Sequence, residues 1–422
     1  MWQKGCKREK GGCMLKRINV YDVLIVMLLL LMAAGGLGRG FQPARVLTIC
    51  VFPVAIFAAF KSKKDLETYA YEGLFFFVWV AWAVLSLHVA RDLTESVKQC
   101  IYLIVHITFF FELILFATLA KRPVESILAG WIGMIVLTIP VALFEFITDI
   151  HLPISVQESG EVMNFGYTQM ERRFASVTFG NLNAYNQVIC FCLPLVLYSI
   201  LYTREQWKRL FSIAVWVMLA YIILRNASRG AMLCLFISGL LFAYYYSRSG
   251  RHRIMLFLAV CVAILVGIFV LASQFEFLAE RLTAQGGQDS GRWENIVVGL
   301  QALLDSYMFG IGVGNYPIVL GKEYGIAIPA PHNLLLEVVV NYGVIIFVGF
   351  SLLFIHAFHM AKRGGRETMR FFMLLILCFG TSFFIDSGHL AKVPTWAFLA
   401  SLFIGSNSTY NSFANSSIFS QA

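Results

Sequence analysis

Apolar runs of about twenty residues recur from residue 20 to residue 406 of this 422-residue chain, and each can cross a hydrocarbon core about 30 Å thick. In lipid a segment must satisfy its own backbone hydrogen bonds, so such runs are helices. Hydrophobic residues make up 59% and charged residues 14% of the chain, against roughly 25% charged in a soluble domain. Too little polar surface remains to cover a water-soluble body. The expected fold class is an all-α polytopic membrane protein.

Twelve spans are expected, at 20–38, 44–60, 72–90, 99–120, 125–147, 182–202, 209–225, 230–247, 254–272, 334–360, 368–385 and 393–406. Residues 1–19 form a basic leader, and 20–406 the membrane domain. Residues 407–422, rich in Ser and Asn, form a tail expected to be disordered and cytoplasmic. The leader resembles a signal peptide, but the spans behind it need the same targeting, so an uncleaved first helix is expected. Met14 is an alternative start. With the N-terminus inside, 21 of the 33 Lys and Arg residues fall on inside segments, although the outside loops are longer. The positive-inside rule favours that orientation in the cytoplasmic membrane. The net charge of +9 is then topological and gives no reason to invoke nucleic acid. Of nine cysteines, two sit in the leader and the rest in or at the ends of apolar spans, so neither a disulfide framework nor a zinc site is suggested.

Two external loops, 148–181 and 273–333, exceed the usual helix connection. In the second, "SGRWENIVVGLQALLDSYMFG" places Trp293, Ile296, Val297, Leu300, Leu303 and Leu304 on one helical face, with Ser290 as a cap. This is expected to be an amphipathic helix on the outer membrane surface or packed over the bundle.

External loops should be poor in arginine, so Arg172, Arg173, Arg225, Arg229, Arg281 and Arg292 need explaining. Each alone is accounted for by an interfacial anchor or an ion pair with Glu145, Asp149, Glu171 or Asp386. Arg173, Arg229 and Arg292 together with His332, all on one face, suggest a site, because a guanidinium fork fits phosphate oxygens. In "IPAPHNLLLEVVVNYG" the prolines pre-set an extended approach to His332, and Asn333 can cap a helix starting at Leu334. Glu337 lies one turn deeper. An unperturbed imidazole suits proton transfer. The glycine run "GIGVGN" lacks the lysine of a phosphate-binding loop and reads as a turn that could offer N–H groups to an anion. Glu112, near the middle of a span, is expected to be paired, protonated or lining a cavity, with pairing first. No metal-ligand spacing or protease motif appears.

These pieces resemble, in order along the chain, the bacterial O-antigen ligase and O-antigen or capsular polysaccharide polymerase superfamily. The matching stretches are "EFITDIHLP" (145–153), "RFASVTFGNLNAYNQ" (173–187), "SRGAML" (228–233), "SGRWENIVVGLQALLDSYMFGIGVGNY" (290–316) and "PHNLLLEVVVNYG" (331–343). The resemblance implies an enzyme of about ten to fourteen spans that works at the outer face of the cytoplasmic membrane. Such enzymes move a glycan from undecaprenyl diphosphate to an acceptor glycan or lipid-linked acceptor, with no metal or other cofactor. By position it puts Arg173, Arg229 and Arg292 around the diphosphate, and makes His332 the group that activates the acceptor hydroxyl. Asn183, Asn333 and Glu337 are further candidates for holding the glycan. Pro331 immediately before His332 departs from the ligase pattern, and "EFITDIHLP" followed by "NLN" is more similar to capsular polymerases. A surface-polysaccharide polymerase is therefore expected first and an O-antigen ligase second. The alternative from another class is a twelve-span transporter or exporter of lipid-linked glycan or solute, which would need ionisable or broken-helix features in matching halves.

Overall fold

The computed structural model describes residues 19–62, 67–155, 162–165, 168–171, 173–246, 292–327 and 329–407. The expected ninth span (254–272), Ser290, Arg172, Arg281, the leader up to residue 18 and the tail from 408 lie outside the described residues.

Eleven helices occupy the places of the other expected spans: α1 (Val20–Leu30), α2 (Pro43–Lys61), α3 (Ala70–Leu85), α4 (Leu93–Leu119), α5 (Pro123–Thr148), α6 (Leu182–Tyr202), α7 (Gln206–Asn226), α8 (Arg229–Tyr246), α11 (Leu334–Gly364), α12 (Arg366–Ser382) and α13 (Val393–Ser406). Between α8 and α11 come α9 (Arg292–Asp305) and the short α10 (Tyr316–Lys322). Among the described residues seven helices are long and apolar enough to cross a membrane, and α1, α8 and α13 are shorter apolar helices. The external segment after α5 also carries an antiparallel hairpin, β1 (Val162–Phe165) with β2 (Thr168–Glu171).

Local chemistry sets the helix ends. Pro43 and Pro123 open α2 and α5 at the first helical position, where a missing N–H costs nothing. Asp92 caps α4 through Glu95 N (3.1 Å), and Asn181 caps α6 through Ala184 N (2.7 Å). Helix α6 is buried along its whole apolar length, whereas α2, α3 and α7 turn most of theirs outward. Large exposed side chains on those outer helices, such as Phe57, Phe60, Leu74 and Phe77, are what a lipid-facing surface requires. Helix α13 has 14 residues, all buried but Pro394, and spans about 21 Å at 1.5 Å per residue. It falls short of a bilayer, and the connection 383–392 before it is enclosed by neighbouring helices.

Helix α11 is broken. Gly343 adopts φ 82°, ψ 175°, splitting it into Leu334–Tyr342 and a longer second piece. The carbonyls freed at the break are taken up by the glycine turn that follows α9. Ile311 N donates to Val340 O (2.9 Å) and Gly312 N to Asn341 O (3.0 Å), while Val344 N donates to Met308 O (3.0 Å). An interrupted helix is tolerated at membrane depth when a neighbour satisfies its backbone in this way. The run 310–314 is thus a splice between loop and helix, with Gly310, Gly312 and Gly314 all at positive φ.

Of the two orientations expected for helix α9, the structure favours the one with most of the apolar stripe outward. The buried face of α9 is Asn295, Gly299, Ala302 and Leu303, while Trp293, Val297, Leu300 and Leu304 are exposed. Gly299 permits close approach, since a Cβ there would sit 3.2 Å from the Tyr316 hydroxyl and 3.5 Å from Val340 Cγ2. The helix rests on α10 and α11 by its small residues and keeps its greasy stripe outward, as a helix lying at a lipid surface does. Glu112 is not paired, the first of its expected states: it is buried, and neither carboxylate oxygen has a hydrogen-bond partner among the described residues.

The splice yields a test. Gly343→Ala would place a Cβ 2.5 Å from Phe309 C and O at a positive φ, whereas Gly365→Ala, also at positive φ, meets nothing within 4 Å. The second substitution should cost only the backbone penalty of a conformation (φ 95°, ψ −162°) that is essentially glycine's own, about 1–3 kcal/mol, and the first clearly more. Thermal unfolding of the two variants in detergent checks this; equal losses would show that the loop contact contributes nothing.

Candidate functional site

The site gathers where α8, α9, α11 and the 383–392 connection meet. Arg292 is the first residue of α9; its Nη1 donates to Phe384 O (2.7 Å). Arg229, the first residue of α8, is exposed and lies close enough that its charge, after burial, is the main influence pulling Arg292 below the ordinary arginine range; Asp386 opposes both. Gly230 beside it abuts Ile385: an added Cβ would come within 2.9 Å of Ile385 Cγ1. The "SRG" stretch is thereby set against the 383–392 connection.

His332 stands between the buried Pro331 and the cap Asn333, with φ 40°. A non-glycine residue held there carries strain of order 1–3 kcal/mol, which surroundings must over-determine. They do so from both sides. Asn333 Oδ1 accepts from Leu335 N (2.8 Å) and Leu336 N (3.2 Å), and Ala330 N donates to Asn295 Oδ1 (3.0 Å). Burial holds the imidazole below its ordinary value of 6.5, Arg292 and Lys392 reinforce this, and Asp386 opposes it. The ring is therefore neutral at pH 7. Its Nδ1 is buried with no hydrogen-bond partner among the described residues. A crevice of about 220 Å³ adjoins, lined by Tyr316, Pro329, Pro331, Glu337, Ser387 and Gly388 among others.

Sequence reasoning missed most of the 383–392 connection. It carries the Asp386–Lys392 ion pair, and Lys392 Nζ also donates to Ser387 O (2.7 Å). Its backbone is clamped on both sides. Glu337 Oε2 accepts from His389 N (2.8 Å) and Oε1 from Leu390 N (3.3 Å). On the carbonyl side, Arg45 Nη2 donates to Ala391 O (2.6 Å), while His106 Nδ1 and Trp396 Nε1 both donate to Leu390 O (2.9 Å each). Arg45 Nε donates to His106 Nε2 (3.0 Å), which fixes the imidazole tautomer. Short polar runs between two apolar spans give little warning of this; the buried-span positions of Arg45 and His106 were the available signal.

The other candidates occupy distinct stations. Arg173 is exposed and donates from Nη1 to Ile147 O (2.9 Å); its charge acts on Arg225. It belongs to a second cluster in which Glu145 Oε2 accepts from Ser176 N (2.7 Å) and Val177 N (2.8 Å), and Asn226 Oδ1 accepts from Ala175 N (2.8 Å). His151 stacks on Phe174 (centroids 4.1 Å apart) beside Glu145 and Asp149. The stretches 145–153 and 173–187 thus clip together. Asn183 is half-buried in the first turn of α6, whose cap is Asn181. The oxygens of Asn333 and Glu337 face backbone N–H groups, as described above.

Glu337→Gln would leave one acceptor oxygen for the two N–H groups of His389 and Leu390. The expected cost is about 1–3 kcal/mol, with Glu337→Ala costing more, read as a lowered unfolding temperature. An alanine variant as stable as the wild type would show that the clamp is dispensable.

The O-antigen ligase family model matches residues 213–351, the stretch that carries Arg229, Arg292 and His332. The chain is also similar to teichuronic acid biosynthesis protein TuaE of Bacillus subtilis (strain 168), at 21% identity over 324 residues. That alignment covers 72% of this chain and 64% of the relative, so just under two thirds of the relative's length is spanned. The O-antigen ligase family match over 213–351, the distant likeness to a teichuronic acid biosynthesis protein and the apolar helices together support a relationship to O-antigen ligases and polymerases.

Proposed function

We propose that the protein is a membrane glycosyltransferase that moves a glycan from undecaprenyl diphosphate to an acceptor sugar hydroxyl. Surface-polysaccharide polymerisation is the first reading and O-antigen ligation the second. The observation that carries the proposal is the meeting of Arg229 and Arg292 with a neutral, half-buried His332 inside the family-matched segment.

In the proposed reaction the acceptor oxygen attacks the sugar C1 and its proton passes to His332. The bond from C1 to the diphosphate oxygen breaks, and its electron pair leaves with the lipid diphosphate. Attack from the face opposite the leaving group inverts the anomeric centre. Negative charge develops on the diphosphate where Arg229 and Arg292 sit, and losing one such electrostatic group typically costs about 10²–10³ in rate. Proton acceptance by a positioned base contributes roughly 10²–10⁴. Arg173, on the neighbouring 173–179 segment, would extend the positive lining toward the rest of the donor. Lys61, Arg209 and Arg363 stand at the opposite ends of their helices from the site, and Lys121 lies in the short connection between α4 and α5. By the positive-inside rule these charges support a site on the outer face of the cytoplasmic membrane.

The transporter reading gains one feature from the structure, the break at Gly343. That break is filled by backbone from 308–312, and among the described residues it has no counterpart in the other half. A deletion strain separates the classes: single-repeat products on a gel of surface polysaccharide indicate a polymerase, and full chains retained on the carrier indicate a ligase.

His332→Ala should abolish transfer while the protein still accumulates in the membrane; near-normal polymer would remove the base assignment. In the wild type the acidic limb of the rate profile should have its midpoint below 6.5, since protonation silences the base and burial with Arg292 disfavours protonation. Arg292→Lys should be strongly impaired because a point charge does not replace a fork. Activity equal to the wild type would reduce Arg292 to an anchor.

A further inference from the structure

The glycine splice separates two hollows. On one side, Gly314 and Tyr316 line the crevice beside His332. On the other, Gly310 and Ile311 line a separate cavity of about 850 Å³ between the end of α3 and the α9–α10 turn. Its volume lies in the range of ligand pockets, roughly 300–1,000 Å³.

The walls of this cavity are sorted by polarity. Trp82 and Phe309 stack at 6.0 Å between ring centroids, and Leu85 and Phe309 form an exposed apolar lip. The opposite rim is polar: Arg91 Nε pairs with Glu323 Oε1 (2.7 Å), and the Tyr324 hydroxyl donates to Asp305 Oδ2 (2.5 Å). Carboxylates that accept beside a guanidinium and a phenol that donate suit hydroxyl-rich ligands, because each sugar hydroxyl is both donor and acceptor. An indole ring offers an apolar face to the C–H side of a pyranose. An occupant with a hydroxylated part at the rim and an apolar part at the lip fits both walls.

We propose that the cavity between Trp82 and Tyr324 is a saccharide subsite that holds the lipid-proximal sugars of the acceptor glycan, with its lipid along Leu85 and Phe309 and its reacting end extending past the splice toward His332. The role of acceptor rests on the transferase reading, in which two glycans must be present at once and the Arg292–His332 side takes the donor diphosphate. Saccharide binding itself does not depend on turnover.

The test uses the full chain in nanodiscs and two probes. One is the repeat oligosaccharide released by mild acid from lipid-linked glycan of the deletion strain; the other is undecaprenyl diphosphate without sugar. Tyr324→Ala and Asp305→Ala should weaken oligosaccharide binding by about tenfold or more and leave undecaprenyl diphosphate binding within about twofold. Arg229→Ala with Arg292→Ala should do the reverse. Tyr324→Phe, which keeps the ring and loses the hydroxyl, should fall between the wild type and Tyr324→Ala. The subsite is overturned if the wild type does not bind the oligosaccharide, if it and the variants bind equally, or if the cavity variants lose undecaprenyl diphosphate, which would make the cavity a lipid site. Failure of the wild type to bind undecaprenyl diphosphate would instead overturn the donor reading, independently of the oligosaccharide result.

Discussion

The exchange of backbone hydrogen bonds at Gly343 governs the rest of the bundle end that carries the site. A helix interrupted at membrane depth exposes carbonyls that neither lipid nor its own next turn can satisfy. Here Ile311 N and Gly312 N donate to two of them, and Met308 O accepts from the N–H of Val344 on the far side of the break, so the loop after α9 cannot leave the bundle without stranding polar groups. That attachment fixes α9, and with it Arg292, relative to the short first piece of α11 that begins just after His332. Two residues far apart in sequence are registered by main-chain bonds, which are indifferent to side-chain motion.

A second set of bonds fixes the other wall. Glu337, on the same short helical piece, reaches across to two N–H groups of the 383–392 connection, and Arg45, His106 and Trp396 hold its carbonyls from the far side. A buried charge such as Glu337 is costly unless it is hydrogen-bonded, and its position is consequently well defined. The connection carries Asp386 and Lys392 to within electrostatic reach of His332. The His332 backbone, at φ 40°, is therefore bounded by two walls that share one rigid helical segment.

How much of this was legible follows from which signals are periodic. Apolar runs are, and they located eleven described helices. The family pattern and the loop arginines also singled out Arg173, Arg229, Arg292 and His332 as a set, of which Arg173 falls in a separate cluster with Ile147 and Arg225. The break at Gly343 was not legible, because "VVVNYGVIIF" keeps its hydropathy across the kink and only the backbone changes. Helix α9 was recognised but its orientation was left open: the apolar stripe fitted either a membrane-surface or a bundle-packed helix, and close packing selected Gly299 and Ala302 for the buried face and left most of the stripe exposed. The 383–392 connection passed unnoticed because its polar residues are few and its partners, Arg45 and His106, lie on helices distant in sequence. Glu112 shows the opposite error: the cost of a buried charge argued for a partner that the described residues do not supply.

The arginines are held in a way that bears on their chemistry. Arg292 is tethered to Phe384 O and Arg173 to Ile147 O, and among the described residues neither has an ion pair within 4 Å. A carbonyl orients a guanidinium without cancelling its charge, whereas a carboxylate would do both. Where the sequence does supply an acidic group at the site, Asp386, it is committed to Lys392. The result is a partly buried region in which the exposed Arg229 repels Arg292 while a backbone carbonyl holds Arg292 in place. Such an arrangement is stabilised by whatever anion enters it, by an amount set by that anion's affinity. A structural anchor would gain from neutralisation. A group kept oriented and uncompensated is matched to a ligand that brings its own negative charge, as a lipid diphosphate does.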